Sequence, residues 1–402
     1  MNVILSIGVL VFTAFVLGEL AEKIKLPKIS GYILAGILLN PDVTGIMNNE
    51  FVVHTDPLLT IALSFITFSI GGSLSASNLK ATGKTVLWLT LSESIFAFLS
   101  VFVFMALWLY FFSNVYSSIY IIIAISLLLA SLAAPTDPSA TLAVIHEYKA
   151  KGPVSSAMLQ IAAFDDIVGI IIYTLVAAFA PFFLGNHDIQ LGTKLADMGM
   201  DILFALLIGA AIGLLFYFIV KMVKKETEGS LIVLTFGLIL FAYGISDYFG
   251  FESLLASMAL GAVVTNFNPM ADKIFKLIER YTDELIFVIF FSLSGLHLQL
   301  SSVAGSVLLI AIYIVARAIG KYGGIFVSSS ILNTDPKIKK FAAGGLIPQG
   351  GIVIGLSILL TKDPEYVSIG SLIIGVVIGA ALIHEISGPL ISRLTLKKAE
   401  EI

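Results

Sequence analysis

The 402-residue chain is 58% hydrophobic and only 12% charged, about half the charged share of a soluble domain, which excludes a water-soluble globular fold. It has no cysteine, so disulfides, thiolate metal sites and cysteine nucleophiles are excluded as well. The net charge of −4 points to no partner, and no nucleic-acid partner is expected. What remains is an all-α polytopic membrane protein whose surroundings are a lipid bilayer.

The apolar stretches predict about thirteen spans, near residues 3–22, 30–47, 57–76, 83–112, 117–147, 153–184, 199–224, 230–248, 252–268, 282–298, 303–332, 338–361 and 365–393. The start, Met1-Asn-Val-Ile-Leu5, has no basic leading region, so it reads as a first membrane helix rather than a signal peptide. All but four of the 23 Lys and Arg residues fall in one set of alternate loops, beginning with Lys23, Lys25 and Lys28 and including Lys224 and Lys225. Lys194 and Lys362 lie on the opposite side, and Arg317 and Lys321 lie inside a span. Positive charge marks the cytoplasmic side, so the N-terminus is expected outside and the C-terminus in the cytoplasm. A prokaryotic cell membrane is the expected location.

Two spans carry breaks. Span 5 holds Ala134-Pro-Thr-Asp-Pro-Ser139, whose two prolines remove backbone donors and clash with the preceding turn. Span 12 holds Leu346-Ile-Pro-Gln-Gly-Gly-Ile352. With span 7 as a link, spans 1–6 and 8–13 form two inverted six-helix halves in which the breaks correspond. Paired interruptions in inverted halves point to a transporter's midplane site. The freed carbonyls beside Thr136 and Asp137 are candidate oxygen ligands.

Span 6 carries Asp165 and Asp166 near its middle. Each charge at a helix centre costs roughly 2.5–3.5 kcal/mol on insertion, so the pair reads as a cation or proton site. Successive helix positions point about 100° apart, so one Asp can pair with a base while the other faces an ion cavity. The bases are Arg317 and Lys321, four apart on one face of span 11. A carboxylate tuned by such neighbours holds a proton or a small cation, but not both. That competition would drive proton and cation in opposite directions.

Among the remaining polar residues, Glu93 is expected to pair with Arg317, with ion contact as the alternative. Gln349 either contacts the site or caps loose backbone. His384 and Glu385 are expected as an interfacial doublet near the cytoplasmic end of the last span, with a part in an entry funnel or a pH response as the alternative and Glu385 as a further candidate site residue. No cofactor is expected beyond the transported ions. An enzyme, such as an intramembrane aspartyl protease, would need two aspartates facing each other from separate helices, which adjacent Asp165 and Asp166 do not supply.

Thr136-Asp137-Pro138 followed by Asp165-Asp166 resembles the monovalent cation:proton antiporter superfamily, the sodium/proton exchangers. Gly31-Tyr-Ile-Leu-Ala-Gly-Ile-Leu-Leu39, Gly320-Lys321 and Glu385-Ile-Ser-Gly-Pro389 are similar to its members too. The resemblance covers essentially the whole chain. It implies antiport of Na⁺, with Li⁺ or K⁺ as alternatives, against H⁺ by a homodimer. It further implies a scaffold of residues 1–82 and 230–298, an ion-translocating core of 83–184 and 303–395, and a linking helix at 199–224. Asp166 matches the ion-carrying aspartate, with Asp137 and Thr136 beside it. Asp165 matches the residue that pairs with Lys321 in electrogenic members, whereas Arg317 matches the base of electroneutral ones. A sodium-coupled symporter of an organic solute is the alternative function.

Overall fold

The computed structural model describes residues 2–24, 28–112, 118–184, 191–222, 227–297, 306–362 and 364–402. Lys25, Lys224 and Lys225 of the basic loops lie outside the described residues. All regular structure among them is helical. The helices are α1 (Val3–Lys23), α2 (Lys28–Leu39), α3 (Asn49–His54), α4 (Asp56–Ser73), α5 (Ala76–Phe112), α6 (Ile119–Ser131), α7 (Pro138–Glu147), α8 (Pro153–Phe183) and α9 (Leu191–Met222). They continue with α10 (Glu228–Tyr248), α11 (Ser253–Phe267), α12 (Ala271–Tyr281), α13 (Asp283–Leu296), α14 (Val307–Leu332), α15 (Pro336–Phe341), α16 (Gly351–Lys362) and α17 (Val367–Lys398).

Among the described residues, seven helices are long and apolar enough to cross a bilayer, and α2, α6, α11 and most of α4 are shorter apolar helices. They expose large apolar side chains, Phe12, Trp88, Phe218 and Val233 among them. Water would penalise such surfaces, whereas lipid tails would not. The protein is therefore an integral membrane protein.

The helices form two compact units. One comprises Asn49–Ala81 and Gln190–Leu293; within it α11 packs against both α4 and α9. Gly71 and Gly261 let the α4 and α11 backbones touch, and Gly209 does the same for α9 and α11. In lipid, where apolar burial drives nothing, small residues at helix contacts supply the association through close packing.

The other unit comprises Met1–Asn48, Thr82–Ile189 and Ser294–Ile402. Both breaks lie in it, where the sequence predicts them. The first separates α6, which ends at Ser131, from α7, which begins at Pro138. Proline suits that position because the first turn of a helix needs no N–H donor. The second follows a 3₁₀ turn, Ala342–Leu346, and ends where α16 begins at Gly351. The breaks cross, with Asp137 N donating to Pro348 O at 3.1 Å. Gly169 of α8 seats the ring of Pro135, and Gly388 of α17 seats that of Pro348.

One contact sets the ends of α8 and α17 side by side. The N–H groups of Val154 and Ser155, in the first turn of α8, each donate at 2.7 Å to the carboxylate of Glu401, just past the end of α17. The first N–H groups of a helix have no partner within it. Here the far end of the chain supplies one.

Candidate functional site

The site is built where α8 and α14 meet the crossed breaks. Asp165 and Asp166 of α8, Arg317 and Lys321 of α14, and Glu93 of α5 are all buried. Gly320 and Gly324 let α14 lie directly on α5, so close that a Cβ on Gly324 would stand 2.5 Å from Glu93 Cα. This brings the lysine of one helix against the glutamate of the other.

Lys321 is the hub. Its ammonium donates to Glu93 Oε2 at 2.9 Å, Ala134 O at 2.6 Å and Thr136 Oγ1 at 2.7 Å, and lies 3.3 Å from Asp165 Oδ2. Thr136 in turn donates its hydroxyl to Asp165 Oδ2 and its N–H to Asp165 Oδ1. Ser94 Oγ donates to Glu93 Oε1 at 3.0 Å. The Asp165–Lys321 pairing expected from the resemblance is thus in place. The expected Glu93–Arg317 pair is not: the close α5–α14 packing places Glu93 against Lys321 instead.

Arg317 spans the breaks. Its Nε donates to Ala133 O at 2.9 Å, Nη2 to Pro135 O at 2.8 Å and Leu346 O at 3.4 Å, and Nη1 to Ile347 O at 2.7 Å. The planar fork offers five donors and always carries charge, so it can bind two broken backbones at once. It also places a cation at the carbonyl ends of α6 and of the 3₁₀ turn, where the helix dipole is negative.

Gln349 caps loose backbone, one of its two expected roles. Its Nε2 donates to Leu132 O at 2.7 Å and to Tyr313 OH at 2.9 Å, while Tyr313 OH donates to Leu132 O at 2.9 Å. Tyr313 escaped the sequence reading, although it lies one helical turn before Arg317 on the same face. Leu132 through Pro135 all spend their carbonyls on these side chains. The freed carbonyls beside Thr136 therefore first hold the breaks together, a use the sequence reading did not foresee.

His384 and Glu385 are 1% exposed, which corrects the expectation of an interfacial doublet. The last helix runs on to Lys398, so the pair lies well inside it. His384 Nδ1 faces Gln349 Oε1 at 3.1 Å, where the amide orientation makes the histidine the donor. Asp137 is half-buried, and its carboxylate rests against Gly350 in the second break.

Asp166 stands apart from this network. It is 5% exposed, yet it forms no hydrogen bond or ion pair among the described residues. Its neighbours in charge are Asp165, Asp137, Lys321 and Glu93.

Crossed helix interruptions, a buried lysine shared by two carboxylates and an adjacent unengaged aspartate define a secondary ion transporter. The chain belongs to the sodium/hydrogen exchanger family, whose transmembrane profile matches residues 9–394. Its function is cation/proton exchange rather than sodium-coupled symport of an organic solute, and the family is one of transporters, not enzymes. The chain is similar to the Na⁺/H⁺-K⁺ antiporter GerN of Bacillus cereus, at 21% identity over 87% of this chain and 85% of GerN. It is also similar to the Na⁺/H⁺ antiporter NhaS4 of Synechocystis sp., at 22% identity over 87% of this chain and 86% of NhaS4. The solved sodium proton antiporter MjNhaP1 of Methanocaldococcus jannaschii shares the fold, with a TM-score of 0.76, 20% identity and 98% of each chain covered.

Proposed function

We propose that the protein exchanges Na⁺, or Li⁺ or K⁺ in its place, for H⁺ by alternating access, with Asp166 as the ion-carrying group. The observation that carries this reading is the contrast within the acid pair. Asp165 is fully engaged by Thr136 and Lys321, whereas Asp166, one residue on, has no protein partner among the described residues. A buried carboxylate without a partner must take a counter-ion or a proton to be tolerated. It can take either, and taking one displaces the other, which couples the two fluxes. Thr136 and Lys321 keep Asp165 in place, and Asp137 adds negative charge that draws a cation toward Asp166.

The wider assembly we propose has thirteen crossings, the N-terminus outside and the C-terminus cytoplasmic, in a prokaryotic cell membrane. In a homodimer, residues 1–82 and 230–298 would serve as scaffold and residues 83–184 and 303–395 as moving core.

The test uses purified protein in liposomes with an imposed pH gradient. Adding Na⁺, Li⁺ or K⁺, but not choline, should dissipate the gradient. Asp166→Asn should abolish the response while the protein still folds and inserts. Exchange retained in Asp166→Asn would remove Asp166 from this role, and silence toward all three cations would sink the assignment of alkali cations.

A further inference from the structure

The hydrogens of the Lys321 ammonium are all spent. An ammonium has three donors and no acceptor. Its nearest partners are Ala134 O at 2.6 Å, Thr136 Oγ1 at 2.7 Å and Glu93 Oε2 at 2.9 Å. Ala134 O is a carbonyl and can only accept. Thr136 gives its own hydroxyl hydrogen to Asp165 Oδ2, so toward Lys321 it accepts as well. Glu93 takes the Ser94 hydroxyl on Oε1 and presents Oε2 to the lysine. Asp165 stands further off, at 3.3 Å, and Thr136 holds both of its oxygens.

A neutral lysine has one hydrogen fewer and a lone pair. Giving a proton up to solvent would turn that lone pair toward an acceptor, where neither Lys321 nor Glu93 has exposed surface. It would also leave Glu93 as a buried anion stripped of its cation, the costly way to break a buried pair. Passing the proton across to Glu93 changes nothing in the sum, because two neutral groups then replace two opposite charges. Arg317 is no substitute cation for Glu93, since its donors go to the Ala133, Pro135, Leu346 and Ile347 carbonyls. Helix packing sets the pairing, because Gly320 and Gly324 seat α14 on α5. Glu93 is thus a counter-ion for Lys321 that does not depend on Asp165.

We propose that Glu93 is the positioning residue that holds the charge of Lys321 constant through the transport cycle, so that one alkali cation is exchanged for one proton with no net charge moved. This rests on the reading of Asp166 as the ion-carrying group. In each exchange the O–H bond of the Asp166 carboxyl breaks and its electron pair stays on the carboxylate. The proton leaves to solvent and the cation takes its place, so one positive charge enters as one leaves. The Glu93–Lys321 pair adds zero in both states. With Asp165 as its one carboxylate, Lys321 would instead lose its counter-ion whenever a cation drew Asp165 away, and its own proton would become a second one to exchange.

The test uses the full chain in liposomes loaded with Na⁺, or with Li⁺ or K⁺ where Na⁺ is not carried, and thiocyanate gradients set the membrane potential. The quantity read is the proton gradient at which net exchange reverses. In the wild-type protein a cation gradient of about tenfold should be balanced by a proton gradient of about tenfold, whatever the potential. In Glu93→Gln the balancing proton gradient at zero potential should fall to about threefold, as for two protons per cation, and should shift with potential. Glu93→Asp keeps the charge and should keep the wild-type balance; with the wild-type measurement it carries the test where the glutamine variant folds poorly. A wild-type balance that moves with potential would overturn the proposal, and so would a folded, active Glu93→Gln protein that balances like the wild type. Failure of the Asp166 reading is separate and visible as full exchange by Asp166→Asn.

Discussion

Lys321 and Glu93 face each other at 2.9 Å with no exposed surface on either side chain. Asp165 shares the same ammonium at 3.3 Å, so one buried cation answers two buried anions. Removing the cation is therefore worse than removing one anion. Breaking a buried pair and leaving a bare charge costs about 3–5 kcal/mol, and Lys321→Ala leaves two such charges. Glu93→Gln keeps a hydrogen-bonding group and leaves Lys321 balanced by Asp165, with an expected loss of about 1–3 kcal/mol. Thermal unfolding in detergent should rank them in that order. The double variant should lose less than the two single losses combined, because each single change strands the other partner.

Arg317→Lys is a conservative change on paper and a severe one here. The guanidinium reaches Ala133, Pro135, Leu346 and Ile347, on both sides of the crossing. A lysine has three donors on a point charge and cannot hold both backbones in one plane. Buried carbonyls left without donors should cost roughly 2–4 kcal/mol. Stability and exchange should fall together in liposome and unfolding assays. Loss of exchange at unchanged stability would make Arg317 an ion-pathway residue instead.

Gly324→Ala tests whether close packing positions the cluster. The added methyl would enter the Glu93 backbone at 2.5 Å, so α5 and α14 must separate. Overpacking of this kind typically costs about 1–3 kcal/mol. The Glu93–Lys321 contact should loosen with it, so combining Gly324→Ala with Glu93→Gln should add little further loss. Full additivity in unfolding measurements would mean that the glycine serves packing alone.

Much of this was legible in the sequence because insertion into lipid makes charge and proline expensive. The prolines at 135, 138 and 348 mark both breaks, and the intramembrane Asp165, Asp166, Arg317 and Lys321 mark the cluster. Pairing was less legible, since it depends on which helix faces touch. Glu93 meets Lys321 because two glycines bring α5 onto α14, and nothing in the residue types favours Lys321 over Arg317. Tyr313 resembles any aromatic membrane residue until its hydroxyl is seen to cap Leu132. The burial of His384 and Glu385 depends on how far α17 continues, and an apolar pattern locates helix ends poorly.

The last prediction concerns the two glutamates at the end of the chain, which are neighbours in sequence and opposites in setting. Glu401 places both oxygens on the first N–H groups of α8, at 2.7 Å each. A carboxylate there satisfies two orphan donors and meets the positive end of the helix dipole. Glu400, itself exposed, instead pairs at 3.0 Å with the partly exposed Lys337. The hydrogen bond and charge of Lys337 hold the Glu400 carboxyl below its usual range. Such stabilisation is present above the ordinary carboxylate range and lost as pH falls through the lowered value, yet exposed pairs contribute little because water and salt screen them. Glu401→Ala should therefore destabilise the protein by about 0.5–2 kcal/mol, the usual loss for a helix cap. Glu400→Ala should leave the melting temperature unchanged at neutral pH. The helix that Glu401 caps also carries Asp165 and Asp166, so Glu401→Ala should raise amide hydrogen exchange first at residues 153–156. Protection unchanged there would show that α8 holds its first turn without the cap.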